Sequence, residues 1–148
     1  FEDYSLTNRT YRYFRGQPLY AFGHGLSYTT FGFANAKLAA KQIRPEGQLE
    51  VSFKLKNRGH REGTEVAQVY FRHLRSAVPQ PRQALCGFAR VTVAAGQSTT
   101  VKLTIPAERL RYWSTDRHQY VVEPGDYELR IGGASDDIQL TVPFKVGA

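Results

Sequence analysis

The chain has 148 residues, 41% of them hydrophobic, with one cysteine, no methionine and a net charge of +7. That length suits one domain with its own core and room for an extra arm. The lone Cys86 excludes an intramolecular disulfide framework, and no apolar run approaches the roughly 20 residues of a membrane span. The first residues have neither the basic nor the apolar region of a signal peptide, and a start at Phe1 without Met points to a processed form or a fragment. A soluble chain with no membrane partner is expected.

The charge is uneven. Residues 1–40 carry four basic and two acidic side chains, residues 41–90 ten and four, residues 91–148 six and seven. A basic middle suits nucleic acid only when a recognition motif accompanies it, and none does. Lys54, Lys56, Arg58 and Arg61 fall where a strand and its turn face water, so no nucleic-acid partner is expected.

Ten of the nineteen aromatics lie in the first 33 residues, in a stretch with neither helical nor strand period. Tyr11 and Tyr13 alternate with Arg12, which predicts a short extended piece closed by Gly16 and Pro18. Residues 20–31 then mix rings with glycines. Gly23 and Gly25 flank His24, leaving a backbone free to take positive φ or to approach another surface closely. Residues 1–33 are therefore expected to form an arm, and residues 34–148 a domain complete without it.

From there the pattern is of strands. A first one is expected near residues 36–40. Residues 48–56 alternate strictly, with Leu49, Val51, Phe53 and Leu55 inward and Glu50, Ser52, Lys54 and Lys56 outward, as in a half-buried antiparallel strand. Residues 57–63 are a turn cluster. Residues 64–73 are apolar on both phases, which predicts a central strand covered on both faces. Pro79 and Pro81 mark a loop. Strands follow at 85–93 and 98–105, one helical turn at 106–110 behind Pro106, a short strand at 119–122, and strands at 127–131 and 138–144. Seven or so short strands at turn-punctuated spacing predict an all-β sandwich of immunoglobulin or fibronectin type III kind, preceded by the aromatic-rich arm.

Catalytic readings find little support. His24, His60, His73 and His118 lack metal-ligand spacing, and no nucleophile elbow, phosphate loop or dinucleotide fingerprint occurs. Asp116, Glu123, Asp126, Asp136 and Asp137 fall in turns, where acidic side chains bond their own backbone. Cys86, between Leu85 and Gly87, reads as a small buried residue. No cofactor or metal is expected. Trp113 beside Tyr112 suits either of two roles: an aromatic platform for a sugar ring, or a plug for one end of the core. The plug is preferred, since Trp buries a large area there.

The motif Phe22-Gly23-His24-Gly25-Leu26-Ser27-Tyr28 opens an ordered set. It continues through residues 56–70, with Asn57-Arg58-Gly59-His60 and Thr64-Glu65-Val66-Ala67-Gln68-Val69-Tyr70, and through residues 81–91, with Leu85-Cys86-Gly87-Phe88. Leu110-Arg111-Tyr112-Trp113 and Val122-Glu123-Pro124-Gly125-Asp126-Tyr127 follow, and the set ends at residues 131–138 with Gly132-Gly133-Ala134-Ser135. As a set, these resemble the C-terminal fibronectin type III-like domain of family 3 glycoside hydrolases, the β-glucosidase and β-xylosidase type enzymes. Ala21 stands where the family usually has Pro, and Cys86 where it usually has Lys or Arg. The family's catalytic Asp and Glu belong to a barrel and an α/β domain outside this sequence, so the resemblance implies no catalytic residue here. It implies a non-catalytic accessory domain that braces the catalytic domains of a retaining, cofactor-free glycosidase and shapes the rim of its cleft. A periplasmic or secreted location is implied as well. Tyr20, Phe22, Gly23, His24, Gly25, Leu26 and Tyr28 become the expected interdomain docking residues. Without the catalytic domains, self-association through the exposed arm is expected. The alternative is a carbohydrate- or polymer-binding module working through Tyr112, Trp113 and the basic strands.

Overall fold

Strict alternation at residues 48–56 has the predicted outcome: Leu49, Val51, Phe53 and Leu55 are buried, while Glu50, Lys54 and Lys56 are exposed. In the computed structural model, which describes residues 7–147, this segment lies at the centre of a three-stranded sheet. Phe1 and Tyr4 of the expected arm lie outside the described residues. The arm carries one helical turn, α1 (Thr10–Tyr13), and the strands begin with β1 (Phe31–Leu38), β2 (Gln42–Ile43) and β3 (Gln48–Asn57). Then come β4 (Gly63–His73), β5 (Ala84–Val93), β6 (Ser98–Pro106) and a 3₁₀ turn (Ala107–Leu110). A hairpin of β7 (Tyr112–Ser114) and β8 (Gln119–Val121) precedes β9 (Gly125–Gly132) and β10 (Ile138–Val146).

One sheet has the order β1-β3-β6, the other β2-β10-β9-β4-β5, and β7-β8 stands apart as a two-stranded ribbon. The chain crosses between the large sheets after each of β1, β2, β3 and β5 and again between β6 and β9, giving the sandwich of immunoglobulin or fibronectin type III kind expected from the strand spacing. Phe33, Leu49, Val51, Phe53, Leu55, Val101 and Ile105 meet Ala67, Val69, Phe71, Tyr127, Leu129, Ile131 and Phe144 in one core. Truncating a ring such as Phe53 there costs about 3–5 kcal/mol. The Tyr127 hydroxyl donates to the Glu123 carbonyl four residues upstream (2.7 Å), the tyrosine corner of such sandwiches. Cys86 is the extra residue where the β4–β5 register slips, a bulge that turns it inward with its thiol donating to Val69 O at 3.3 Å.

Several expectations change. Residues 11–13 are helical rather than extended, because Phe14 N–H closes a turn onto Thr10 O (2.9 Å) and Tyr11 packs onto the sheet. The first strand starts at Phe31, not near 36: Phe31 and Phe33 pair with Asn57 and Leu55, so these two rings serve the sandwich. Asn35, at φ 56°, sits in the irregularity that follows. β2 and β7, of two and three residues, are too short for periodicity to reveal.

Candidate functional site

The arm lies across the outer face of β4 and β5. Residues 66–71 are apolar on both phases because two different surfaces cover them. Ala67, Val69 and Phe71 face the core; Tyr70 and Gln68, pointing the other way, are buried beneath the arm. The sequence led to the expectation that residues 34–148 are complete without the arm; in the structure Tyr70 and Gln68 would lose part of their cover without it.

Attachment is polar and aromatic at once. The Tyr11 ring stacks on Phe22 (4.3 Å, 14°) and meets Tyr70 edge-on (6.1 Å), while its hydroxyl accepts from Leu85 N–H at 3.0 Å. Arg82 N–H donates to Arg12 O (2.8 Å), and Ser135 N–H donates to Phe22 O (2.9 Å). Gln68 donates to Gly23 O (3.2 Å) and to Gly133 O, and its Oε1 accepts from the Tyr70 hydroxyl (2.5 Å). Burial beneath this cover pushes the Tyr70 hydroxyl well above the usual tyrosine range. Gln83 repeats the device, donating to Ser135 O (2.6 Å) and accepting from Arg130 Nη1 (2.5 Å). Two buried glutamines thus clamp the β9–β10 loop, and that loop holds the arm.

The far end is fixed by Asn57, fully buried at the end of β3. Its amide donates to Arg61 O (2.7 Å) and Val93 O (2.9 Å), and its Oδ1 accepts from Gly59 N–H (3.0 Å) and the Thr29 hydroxyl (2.5 Å). One side chain ties β3, the turn after it, β5 and the arm, with every polar atom satisfied.

The expected docking residues divide under this geometry. Gly23 has φ +82°, and a Cβ there would collide with the Gln68 amide, so the close approach it permits is to the chain's own sheet. A Cβ at Gly25 would meet no described atom within 4 Å beyond its chain neighbours. Ala21 is buried, and His24 N–H closes a turn onto Ala21 O (3.0 Å) while its exposed ring lies beside Tyr20. Outward from this pinned backbone stand Leu19, Leu26 and Tyr28, 91%, 95% and 96% exposed, with Tyr20 at 69%. Phe22 is partly covered by Tyr11, and Phe88 and Val66 add apolar surface on β5 and β4. Seven of the eleven large exposed hydrophobic residues described belong to the arm or to the two strands it crosses.

The second cluster is the β7–β8 ribbon. Trp113 is 51% exposed and does not plug the core: strand alternation turns Tyr112 and Val121 inward and Trp113 outward beside its cross-strand partner Tyr120. Their rings meet edge-on at 5.3 Å, and the Arg111 guanidinium lies 4.6 Å over Tyr120.

Other reactive side chains are occupied structurally. Burial pushes the Cys86 thiol up to about 12. Glu123 accepts from Ser76 Oγ (2.5 Å) and Ala77 N–H (2.8 Å), and Asp126 lies 3.3 Å from Lys145. His73 is buried, stacked face to face on Tyr127 at 4.2 Å, with Nδ1 3.4 Å from Glu123 Oε2. Desolvation lowers its pKa despite that carboxylate, so the ring is neutral at pH 7 and the contact is not an ion pair. Among the described residues, no three His, Cys, Asp or Glu side chains are grouped to hold a metal ion.

Residues 65–135 match the model of the fibronectin type III-like domain. The β-glucosidase BoGH3A of Bacteroides ovatus is 34% identical over 144 residues, which is 97% of this chain and 19% of that protein. The xylan 1,4-β-xylosidase of Xylanibacter ruminicola is 38% identical over 95% of this chain and 16% of its own length. The structure of β-glucosidase 3B from Thermotoga neapolitana in complex with glucose superposes with a TM-score of 0.79 at 37% identity, over 89% of this chain and 18% of that one. The chain thus spans less than a fifth of these relatives.

Proposed function

The chain belongs to the fibronectin type III-like domains of family 3 glycoside hydrolases, and on that premise we propose that it braces the catalytic domains of such an enzyme. By itself, a fibronectin type III-like domain spanning so small a share of those enzymes is non-catalytic. In our reading residues 1–33 are the docking arm, residues 34–148 are the sandwich, and the parent acts on β-glucosides or β-xylosides, its cleft rim shaped in part by this domain. The observation that carries this is the near-complete exposure of Leu19, Leu26 and Tyr28 on an arm whose backbone is hydrogen-bonded to the sandwich at Arg12, Phe22, Gly23 and Thr30. Burying each such side chain is worth about 1.5–3 kcal/mol, a driving force without a recipient among the described residues.

The test is a paired measurement on Leu26→Ser with Tyr28→Ser. In the isolated chain, where both side chains face water, the melting temperature should not change. In the longer enzyme, the same pair should lower the melting temperature by several degrees. No change in either setting refutes the bracing role. A concentration-dependent dimer of the isolated chain that the double substitution abolishes would assign the surface to a second copy instead.

A further inference from the structure

The β7–β8 ribbon has a feature that interdomain bracing through the arm leaves unused. Trp113 and Tyr120 border a concave groove of about 790 Å³, within the range that accommodates small molecules. Their outward faces fill no part of the core, which the ribbon meets through its other side and through Val122. Four arginines line the groove: Arg12 from the arm, Arg109 and Arg111 from the segment entering β7, and Arg117 from the hairpin turn. Two carboxylates oppose them, Asp116 and Glu123. Glu123 is already taken up by Ser76 and Ala77, so the lining has an excess of guanidinium groups.

We propose that this groove binds an acidic oligosaccharide, one carrying a uronate. A half-exposed indole offers a flat apolar face to the C–H face of a pyranose ring, and Tyr120 sets its orientation. Guanidinium forks match a carboxylate bidentately, where a neutral sugar would leave them without a charged partner. Arg111 is held in place by the Tyr120 ring, which limits the side-chain freedom lost on binding. The groove shares Arg12 with the arm, but Leu19, Leu26 and Tyr28 do not line it, so it stands or falls independently of the bracing role.

Calorimetric titration of the full chain with a glucuronosyl-xylotriose and with neutral xylotetraose tests this. The acidic probe should bind at least tenfold more tightly, and more weakly as salt is raised. Trp113→Ala and Arg111→Gln should each reduce its affinity tenfold or more while the circular dichroism melt shows both variants folded. Leu26→Ser with Tyr28→Ser should leave the affinity unchanged. Equal affinity for the two probes, absence of binding by the folded chain, or binding insensitive to both groove substitutions would overturn the proposal. So would a result in which Trp113→Ala only destabilises the longer enzyme, which would make the groove a protein contact.

Discussion

Removing the Tyr11 side chain should detach the arm while leaving the sandwich folded. Three interactions disappear in Tyr11→Ala: the stack on Phe22, the edge contact with Tyr70 and the hydrogen bond from Leu85 N–H. An aromatic pair is worth about 0.5–1.5 kcal/mol beyond burial, and the hydrogen bond contributes a similar amount. The sum is about 3 kcal/mol, or roughly a hundredfold in the equilibrium for lifting the arm. Native-state hydrogen exchange reads this directly, because two amides of the sandwich are protected only while the arm is down. They are Arg82 N–H, bound to Arg12 O, and Ser135 N–H, bound to Phe22 O. Both should exchange roughly a hundred times faster in Tyr11→Ala, while Val69 and Ile131, paired within β4 and β9, keep their wild-type rates. Tyr11→Phe, which removes only the acceptor, should accelerate exchange several-fold. Unchanged protection at Arg82 and Ser135 would refute the account of how the arm is held. Loss of protection at all four amides together would show that arm and sandwich open only as one unit.

Two further outcomes follow from buried polar groups. Asn57→Ala deletes four hydrogen bonds and leaves their partners unpaired, a loss of about 3–4 kcal/mol and about 10 °C in the melting temperature by circular dichroism; a drop below about 3 °C would contradict the network. Stability should also fall on acidification in two stages. Desolvation lowers the pKa of His73 below 6.5, against the opposing charges of Glu123 and Asp126, so the unfolded chain binds its proton first and stability declines as pH drops below about 6.5. For Glu123 burial acts upward, but the Ser76 and Ala77 hydrogen bonds and His73 outweigh it, so its contribution is lost below pH 4.5. Chemical denaturation of His73→Phe, which keeps a ring against Tyr127, should show a flatter profile between pH 6.5 and 5; an identical slope would assign that stage to other groups.

What the sequence revealed depended on whether a residue's surroundings were local. β3 and β6 alternate because one face of each is wet, and that alternation is visible in the order of residues. The two-phase apolarity of β4 correctly indicated cover on both faces, yet its outer cover comes from residues about 50 positions upstream, which periodicity cannot register. Phe31 and Phe33 were assigned to the arm because they end an aromatic-rich stretch, although their strand partners place them in the sandwich. Gln68 inside an apolar run was the signal for a buried polar clamp, since a buried amide requires partners. Asn57, followed by Arg58 and Gly59, looks like an ordinary turn residue, and its bonds to Val93 and Thr29 are long-range. Trp113 was misjudged for a related reason. Inward or outward placement depends on strand phase, and a three-residue strand has too little pattern to fix it.

The arm's two faces have different consequences. On the inner face, Gly23 lets the backbone press against Gln68, and carbonyls at Arg12, Phe22 and Gly23 accept from the sandwich. On the outer face, open space surrounds Gly25, and the flanking Leu26 and Tyr28 reach into water. A free tail presenting the same side chains would lose about 1–2 kcal/mol of backbone entropy per residue on docking. Folding has already met that cost for the pinned stretch, so more of the apolar burial is left to hold a partner. The hydrogen bonds beneath the arm are therefore part of the docking surface, although their residues need not touch a partner. Lifting the arm with Tyr11→Ala should weaken docking even with Leu26 and Tyr28 intact.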